Sequence, residues 1–279
     1  MAETFETLDK WTRYAIDEIK ATYGDDVSVS QKKKSLLKFG RTTNADADVK
    51  TTVALFQGTE VNETFATGNT IDYLVSDNAA DTGDVTVEGH TLLVGDLSFA
   101  TQTVTLTGTT PVALTTPLAR TNRLFNAEVG SFASPATALV GNVYAYDSTV
   151  ATGVTSGVPD VATATKCVIA AGKQQSEKCA TSVSAQDYWL ITQIAAGGAK
   201  GNANTVSGNV DVAVRTDGGP WRPLGLELVL RAGGDQKAFA HFAPYLIVPK
   251  NSDVRLEVIS NTNDSEFSGF IHGMLAKVV

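Results

Sequence analysis

The chain has little of what builds metal sites or covalent staples. Of its 279 residues only two are cysteine, Cys167 and Cys179, and three are histidine, the dispersed His90, His241 and His272. Two cysteines cannot make a disulfide framework, and no zinc-like ligand spacing can be written, so neither a metal nor another cofactor is expected. No run of about 18 apolar residues occurs, and the opening MAETFETLDK has no basic region followed by an apolar one. Neither a membrane span nor a secretory signal is therefore expected. Positive charge is also short, since 22 basic against 30 acidic side chains leave a net charge of −8. The surface needed to neutralise phosphates is missing, which argues against a general nucleic-acid binder. Aromatics make up 8%, so the apolar content is mostly Ala, Val, Leu and Ile beside abundant Thr and 24 Gly. That mix favours short strands and turns. The length suits one or two domains able to bury roughly 75% of the unfolded surface without a staple.

The first stretch reads differently from the rest. Leu8, Trp11, Ala15, Ile19 and Tyr23 recur at three- and four-residue steps, with Phe5 and Ile16 flanking the stripe. This spacing predicts an amphipathic helix over 5–23. Glu3, Glu6 and Asp9 sit where the helix dipole favours negative charge, Thr4 or Thr7 can cap, and Gly24 is a natural stop. The apolar face packs either on its own domain or on a partner subunit, and spacing does not choose between them. Beyond Asp26, Lys32, Lys33, Lys34, Lys38 and Arg41 concentrate positive charge. Residues 1–41 hold eight basic and seven acidic side chains, +1 net, against 14 and 23, or −9, over 42–279. The lysine triplet reads as a solvated loop or as an arm docked on an acidic neighbour. Residues 1–45 are thus expected to be a helix and an extended basic arm.

From about residue 46 the period changes to two. TTVALF, TIDYLVS, DVTVEG, QTVTLTG, RTNRLFNAEV and GNVYAYD are bounded by Gly, Asn, Asp or Pro. In QTVTLTG, Val104 and Leu106 face a core while the threonines face out. The expected fold is mainly β, with antiparallel sheets: a β-sandwich over 46–146, a linker or surface loop over 147–163, and a jelly-roll-like sandwich over 164–279. Thr216–Pro220 and Pro249–Ser252 read as turns.

Signals for catalysis are weak. Gly197-Gly198-Ala199-Lys200-Gly201 lacks the P-loop spacing and its following helix, and Gly153-Val-Thr-Ser-Gly157 places its serine one position late for a nucleophile elbow. Asp235, Asp253, Glu257 and Glu266 offer carboxylate pairs of a kind any acidic β protein has. Asn261, Asn263, Asp264 and Glu266 lack the central glycine of a calcium loop. His241 and His272 read as strand histidines, and no enzyme is expected. Cys167 and Cys179 are symmetric about Lys173, so a hairpin at AAGKQQ would set them opposite each other. A disulfide is open to them by that geometry, and free thiols are the other reading, favoured in a reducing cytoplasm. Trp221 beside Arg222, and Tyr188 with Trp189, read as core residues, as an interface anchor or as a glycan-binding platform.

The order of segments is distinctive. KKKSLLKFGR, DTGDVTVEGH, QTVTLTGTTPVALTTPLARTNRLFN, a Gly-rich spacer, WRPLGLELVLRAGG and FAPYLIVPKNSDVRLEVIS together resemble virion structural proteins of tailed bacteriophages, especially marine ones, over roughly 32–279. The resemblance implies a non-enzymatic virion component made in the host cytoplasm, either a capsid decoration or cement protein or a neck or tail accessory such as a short fibre. Its implied partners are the major capsid protein or neck and tail proteins, its own copies (a trimer favoured), and a host glycan in the alternative role. Leu8, Trp11, Ile19, Tyr23, Lys32, Lys33, Lys34 and Trp221 are the residues expected to meet partners.

Overall fold

The computed structural model describes residues 29–54, 67–127, 139–199, 207–230 and 236–278. The helix expected over 5–23, with Leu8, Trp11, Ile19 and Tyr23, lies outside them. The described chain is mainly β, and its sheets are antiparallel. None of its helices is long and apolar enough to cross a membrane.

Two modules are present, and they are not consecutive in sequence. One is built from β1 (Val29–Ala45), β2 (Lys50–Thr52), β12 (Ala180–Val183), β13 (Asp187–Ala199), β14 (Gly208–Thr216), β15 (Arg222–Leu230), β16 (Gln236–Val248), β17 (Ser252–Ser260) and β18 (Ser265–Val278). Its sheets have the orders β1-β18-β13-β16 and β12-β17-β14-β15, with β2 added beside β17. Taking β1 and then β12 to β18 as eight successive strands, one sheet holds the first, eighth, third and sixth, and the other the second, seventh, fourth and fifth. That order is a jelly roll. Val210, Val212 and Val214 on β14 and Val254, Leu256 and Val258 on β17 alternate inward onto Trp189, Ile191 and Ile194 of β13 and Phe267 and Ile271 of β18.

The second module is inserted between β2 and β12. It comprises β3 (Ile71–Ser76), β4 (Asp84–Leu93), β5 (Asp96–Thr105), β6 (Val112–Leu118), β7 (Arg120–Asn126), β8 (Val143–Asp147) and β11 (Thr165–Ile169), in sheets β11-β8-β3-β6 and β5-β4-β7. Leu74, Val85, Val87, Leu118, Leu124, Val143 and Ile169 fill a core separate from that of the jelly roll. The two crossings between modules run side by side: Ala54 bridges Lys178, and the Cys179 N–H donates to the Val53 carbonyl at 2.9 Å.

Two expected boundaries are therefore corrected. The arm over 25–45 is, from Val29, the first jelly-roll strand, hydrogen-bonded to β18 along its length. Its inward positions are Leu36, Lys38, Gly40 and Thr42, too polar and too small to show an apolar alternation. The stretch 147–163 joins β8 to β11 of one sheet, so it separates no modules. It carries the short strands β9 (Val154–Thr155) and β10 (Val158–Pro159), and packs Val154 and Val158 against Tyr144 and Tyr146. The turn at 216–219 forms as expected, with positive φ at Asp217 (48°) and Gly218 (71°) and Gly219 N–H bonded to the Thr216 carbonyl at 2.9 Å. These are the features of a two-residue hairpin turn.

Candidate functional site

Among the described residues, the buried Lys38, His90, Arg120, Lys178 and Asp253 gather where the two modules meet. Arg120 on β7 of the inserted sandwich donates from Nε to Asp253 Oδ1 of β17 at 2.9 Å. Arg215 on β14 donates to the other oxygen, Oδ2, at 2.7 Å, and the Ser182 hydroxyl of β12 donates to Oδ1 at 2.6 Å. The Asp253 side chain is only 2% exposed. A buried carboxylate shared by two guanidinium groups satisfies its lone pairs, a condition for burying charge at tolerable cost.

Two lysines complete the seam. Lys38 Nζ of β1 donates to the Asn122 carbonyl of β7 at 2.6 Å, and Lys178 Nζ donates to the Thr121 and Lys166 carbonyls. Burial, reinforced by the charge of Lys178, lowers the Lys38 ammonium to about 8. The Asn122 amide accepts the Ser182 N–H at 3.2 Å through Oδ1 and lies 3.1 Å through Nδ2 from His90 Nδ1 on β4. Burial holds the His90 imidazole down at about 4, against the opposing pull of Asp253. A cavity of about 280 Å³ touches Lys38, His90, Asn122 and Asp187, and one of about 530 Å³ lies beside Asp96, Arg120, Arg215 and Asp217. The charged groups between them hold backbone carbonyls or one another across the modules, so the chemistry of this seam is that of a clamp.

The outer face of the β1-β18-β13-β16 sheet is the second feature. Register sets Phe39, Phe270, Ala195 and Phe239 in one row across the four strands. Leu37 stands beside the row, and Leu37 and Phe239 are 54% and 53% exposed. A shallow cavity of about 540 Å³ runs along the row. At the other end of the same face Tyr188, Leu190 and Ala276 are buried.

Residues expected to meet partners divide as follows. Lys32, Lys33 and Lys34 lie on β1, an edge strand, with Lys33 opposite Ala276 and Lys34 opposite Leu275. Trp221 is half-buried at the 216–219 corner, with the guanidinium groups of Arg255 and Arg215 at 4.0 and 5.0 Å from its ring centroid. The platform drawn from Tyr188 and Trp189 does not reach the surface, because both are buried, on opposite faces of β13.

Cys167 and Cys179 are buried thiols in different cores, and the disulfide reading is corrected. The hairpin that would align them does not form, since β11 pairs with β8 and β12 with β17. Burial raises the Cys179 thiol to about 12. His272 is held by Ser35 at 3.1 Å and Thr192 at 3.2 Å, and His241 meets the Phe239 ring edge-on. Asn261 and Asn263 accept backbone N–H groups of Ser207 and Ala47, while Glu266 pairs with Arg41.

Sequence reading missed the apolar outer face and the tip of the β4–β5 hairpin, where Leu93 and Val94 are 71% and 98% exposed. The signal for the face was present: Tyr188-Trp189-Leu190-Ile191 has no polar alternation, as expected of a strand covered on both sides.

No protein-family model matches the chain, and no curated protein matches it. Among solved structures it is similar to the VP2 subviral particle of infectious bursal disease virus, at 9% identity and a TM-score of 0.23, over 91% of this chain and 73% of that one. It is also similar to the Gx strain of the same virus, at 8% identity and a TM-score of 0.24, over 91% and 74% of the two chains. Both neighbours are viral, and neither comes from a tailed bacteriophage.

Proposed function

We propose that this chain is a non-enzymatic structural protein of a tailed-bacteriophage virion, bound to the assembled particle as a decoration or cement protein and self-associated, with a trimer favoured. The observation that carries the reading is the partly open apolar row Phe39, Phe270, Ala195 and Phe239 with Leu37 on the outside of a rigid jelly roll. An exposed apolar strip on a stiff sheet is a surface for association, and removing it from water supplies the binding energy. Its partner is the major capsid protein. Lys32 to Lys34 on the adjoining edge supply a positive fringe, and Trp221 marks a second contact at the corner turn. The seam supports the same reading, because its buried charges are spent on fixing one module to the other.

Copy number in purified particles, measured by quantitative mass spectrometry against the main shell protein, tests it. Near-parity is expected. A count matching one tail-vertex ring would instead make the chain a neck or tail accessory, and absence from particles would sink the structural reading.

A further inference from the structure

The cavity of about 280 Å³ at the seam contains an amine that the clamp does not use up. Lys38 is 6% exposed, and its Nζ donates to one acceptor, the Asn122 carbonyl, at 2.6 Å. An ammonium has three donors, so two remain for the cavity that Lys38 lines. The other walls are of two kinds. Leu36, Leu275 and Phe99 are apolar, and Phe99, 48% exposed, opens the cavity to solvent. Glu88 and Asp187 are half-buried carboxylates. A volume just below the range of drug-sized pockets suits a compound of a few heavy atoms.

We propose that this cavity is a covalent binding site in which the Lys38 amine condenses with a small uncharged aldehyde to give a Schiff base. The nitrogen adds to the carbonyl carbon and forms a C–N bond. The carbonyl oxygen then leaves as water with two hydrogens of the ammonium, and the bond becomes C=N. Nothing is oxidised or reduced. Glu88 and Asp187 are the carboxylates on the wall that can take the proton lost before attack and return it to the departing oxygen. The iminium formed keeps one N–H and the positive charge, so the bond to the Asn122 carbonyl survives the reaction.

The surroundings favour this amine over the surface lysines. Burial, reinforced by the charge of Lys178 and opposed by Glu88, lowers Lys38 to about 8. At pH 7 about a tenth of it is then neutral and nucleophilic, against less than about a thousandth of an exposed lysine. Desolvation beside a second cation is one way in which lysines are activated for Schiff-base chemistry. The charge on the wall selects the partner. His90 is held neutral above about pH 4, so Glu88 and Asp187 are left to repel an anionic carbonyl compound, and Lys38 itself repels a cationic one. The site is independent of the virion role.

Reductive alkylation of the full-length protein at pH 7 with butanal and cyanoborohydride tests it, with the labelling rate of each lysine read by peptide mass spectrometry. Lys38 is expected to label at least about tenfold faster than the exposed Lys50 and Lys250. Lys178, buried but not on the cavity wall, should stay unlabelled. A bulky aldehyde, pyrenecarboxaldehyde, should label the exposed lysines and spare Lys38, and unfolding in urea should erase the preference. The proposal is overturned by butanal labelling at Lys38 no faster than at Lys50, by Lys178 labelling as fast as Lys38, or by equal labelling of Lys38 with the bulky aldehyde.

Discussion

His90 shows how much one buried side chain decides. It sits on β4 with its ring 5.8 Å from that of Phe99 and its Nδ1 against Asn122, 3% exposed. Burial lowers it from the ordinary 6.5 to about 4, so the folded protein keeps the imidazole neutral where the unfolded chain has already taken up a proton. Its contribution to stability is therefore intact above pH 6.5 and is lost as pH falls from 6.5 towards 4. Each pH unit of that fall costs about 1.4 kcal/mol, and the whole loss is on the order of 3 kcal/mol. Urea titrations at pH 7.5 and 4.5 should show a clear drop in stability for the parent protein. His90→Gln should flatten the curve between those values, because most carboxylates are still ionised there. An equal drop in the variant would show that His90 is not its source.

At the scale of the element, the β4–β5 hairpin carries a local contradiction. Its two turn residues are Val94 and Gly95, with φ of 52° and 89°. A β-branched residue in the left-handed region is strained, and Val94 is almost fully exposed, so no burial offsets that strain. Asn-Gly is the pair such a turn prefers. Val94→Asn should raise stability by about 1 kcal/mol, read as a higher urea midpoint at unchanged slope. A neutral or lower midpoint would mean that the exposed valine is not strained in solution.

How legible each element was depended on its inward residues. β14 and β17 alternate valine and leucine with polar residues, so period two gave them at once. β1 hides behind Lys38, Gly40 and Thr42. Its inward side meets polar seam and close-packed backbone, and a Cβ on Gly40 would lie 2.1 Å from the Val53 carbonyl oxygen. The seam itself could not be read locally. Arg120 and Asp253 are 133 residues apart, and their partnership depends on an insertion that no period or spacing announces.

At the scale of the whole molecule the question is whether two cores make one cooperative unit. The cores are distinct, and only two adjacent stretches of chain join them. Domains so connected unfold separately unless the interface between them is strong. Here it is polar: Arg120 with Asp253, Lys38 with the Asn122 carbonyl and Lys178 with the Thr121 carbonyl. Each removes a charge from water, so the clamp is worth most when complete, and in the Arg120–Asp253 ion pair losing one partner takes away the other's buried counter-charge. Breaking such a pair costs roughly 3–5 kcal/mol, more than the seam gains from any single neutral hydrogen bond. Asp253→Ala deprives both Arg120 and Arg215 of the carboxylate they share, while touching neither core. Calorimetry of the parent protein should give a single transition whose calorimetric and van't Hoff enthalpies agree. In Asp253→Ala the inserted sandwich and the jelly roll should separate into two transitions. A variant that still unfolded in one step, only at lower temperature, would show that the covalent crossings at Ala54 and Lys178 couple the modules without help from the buried charges.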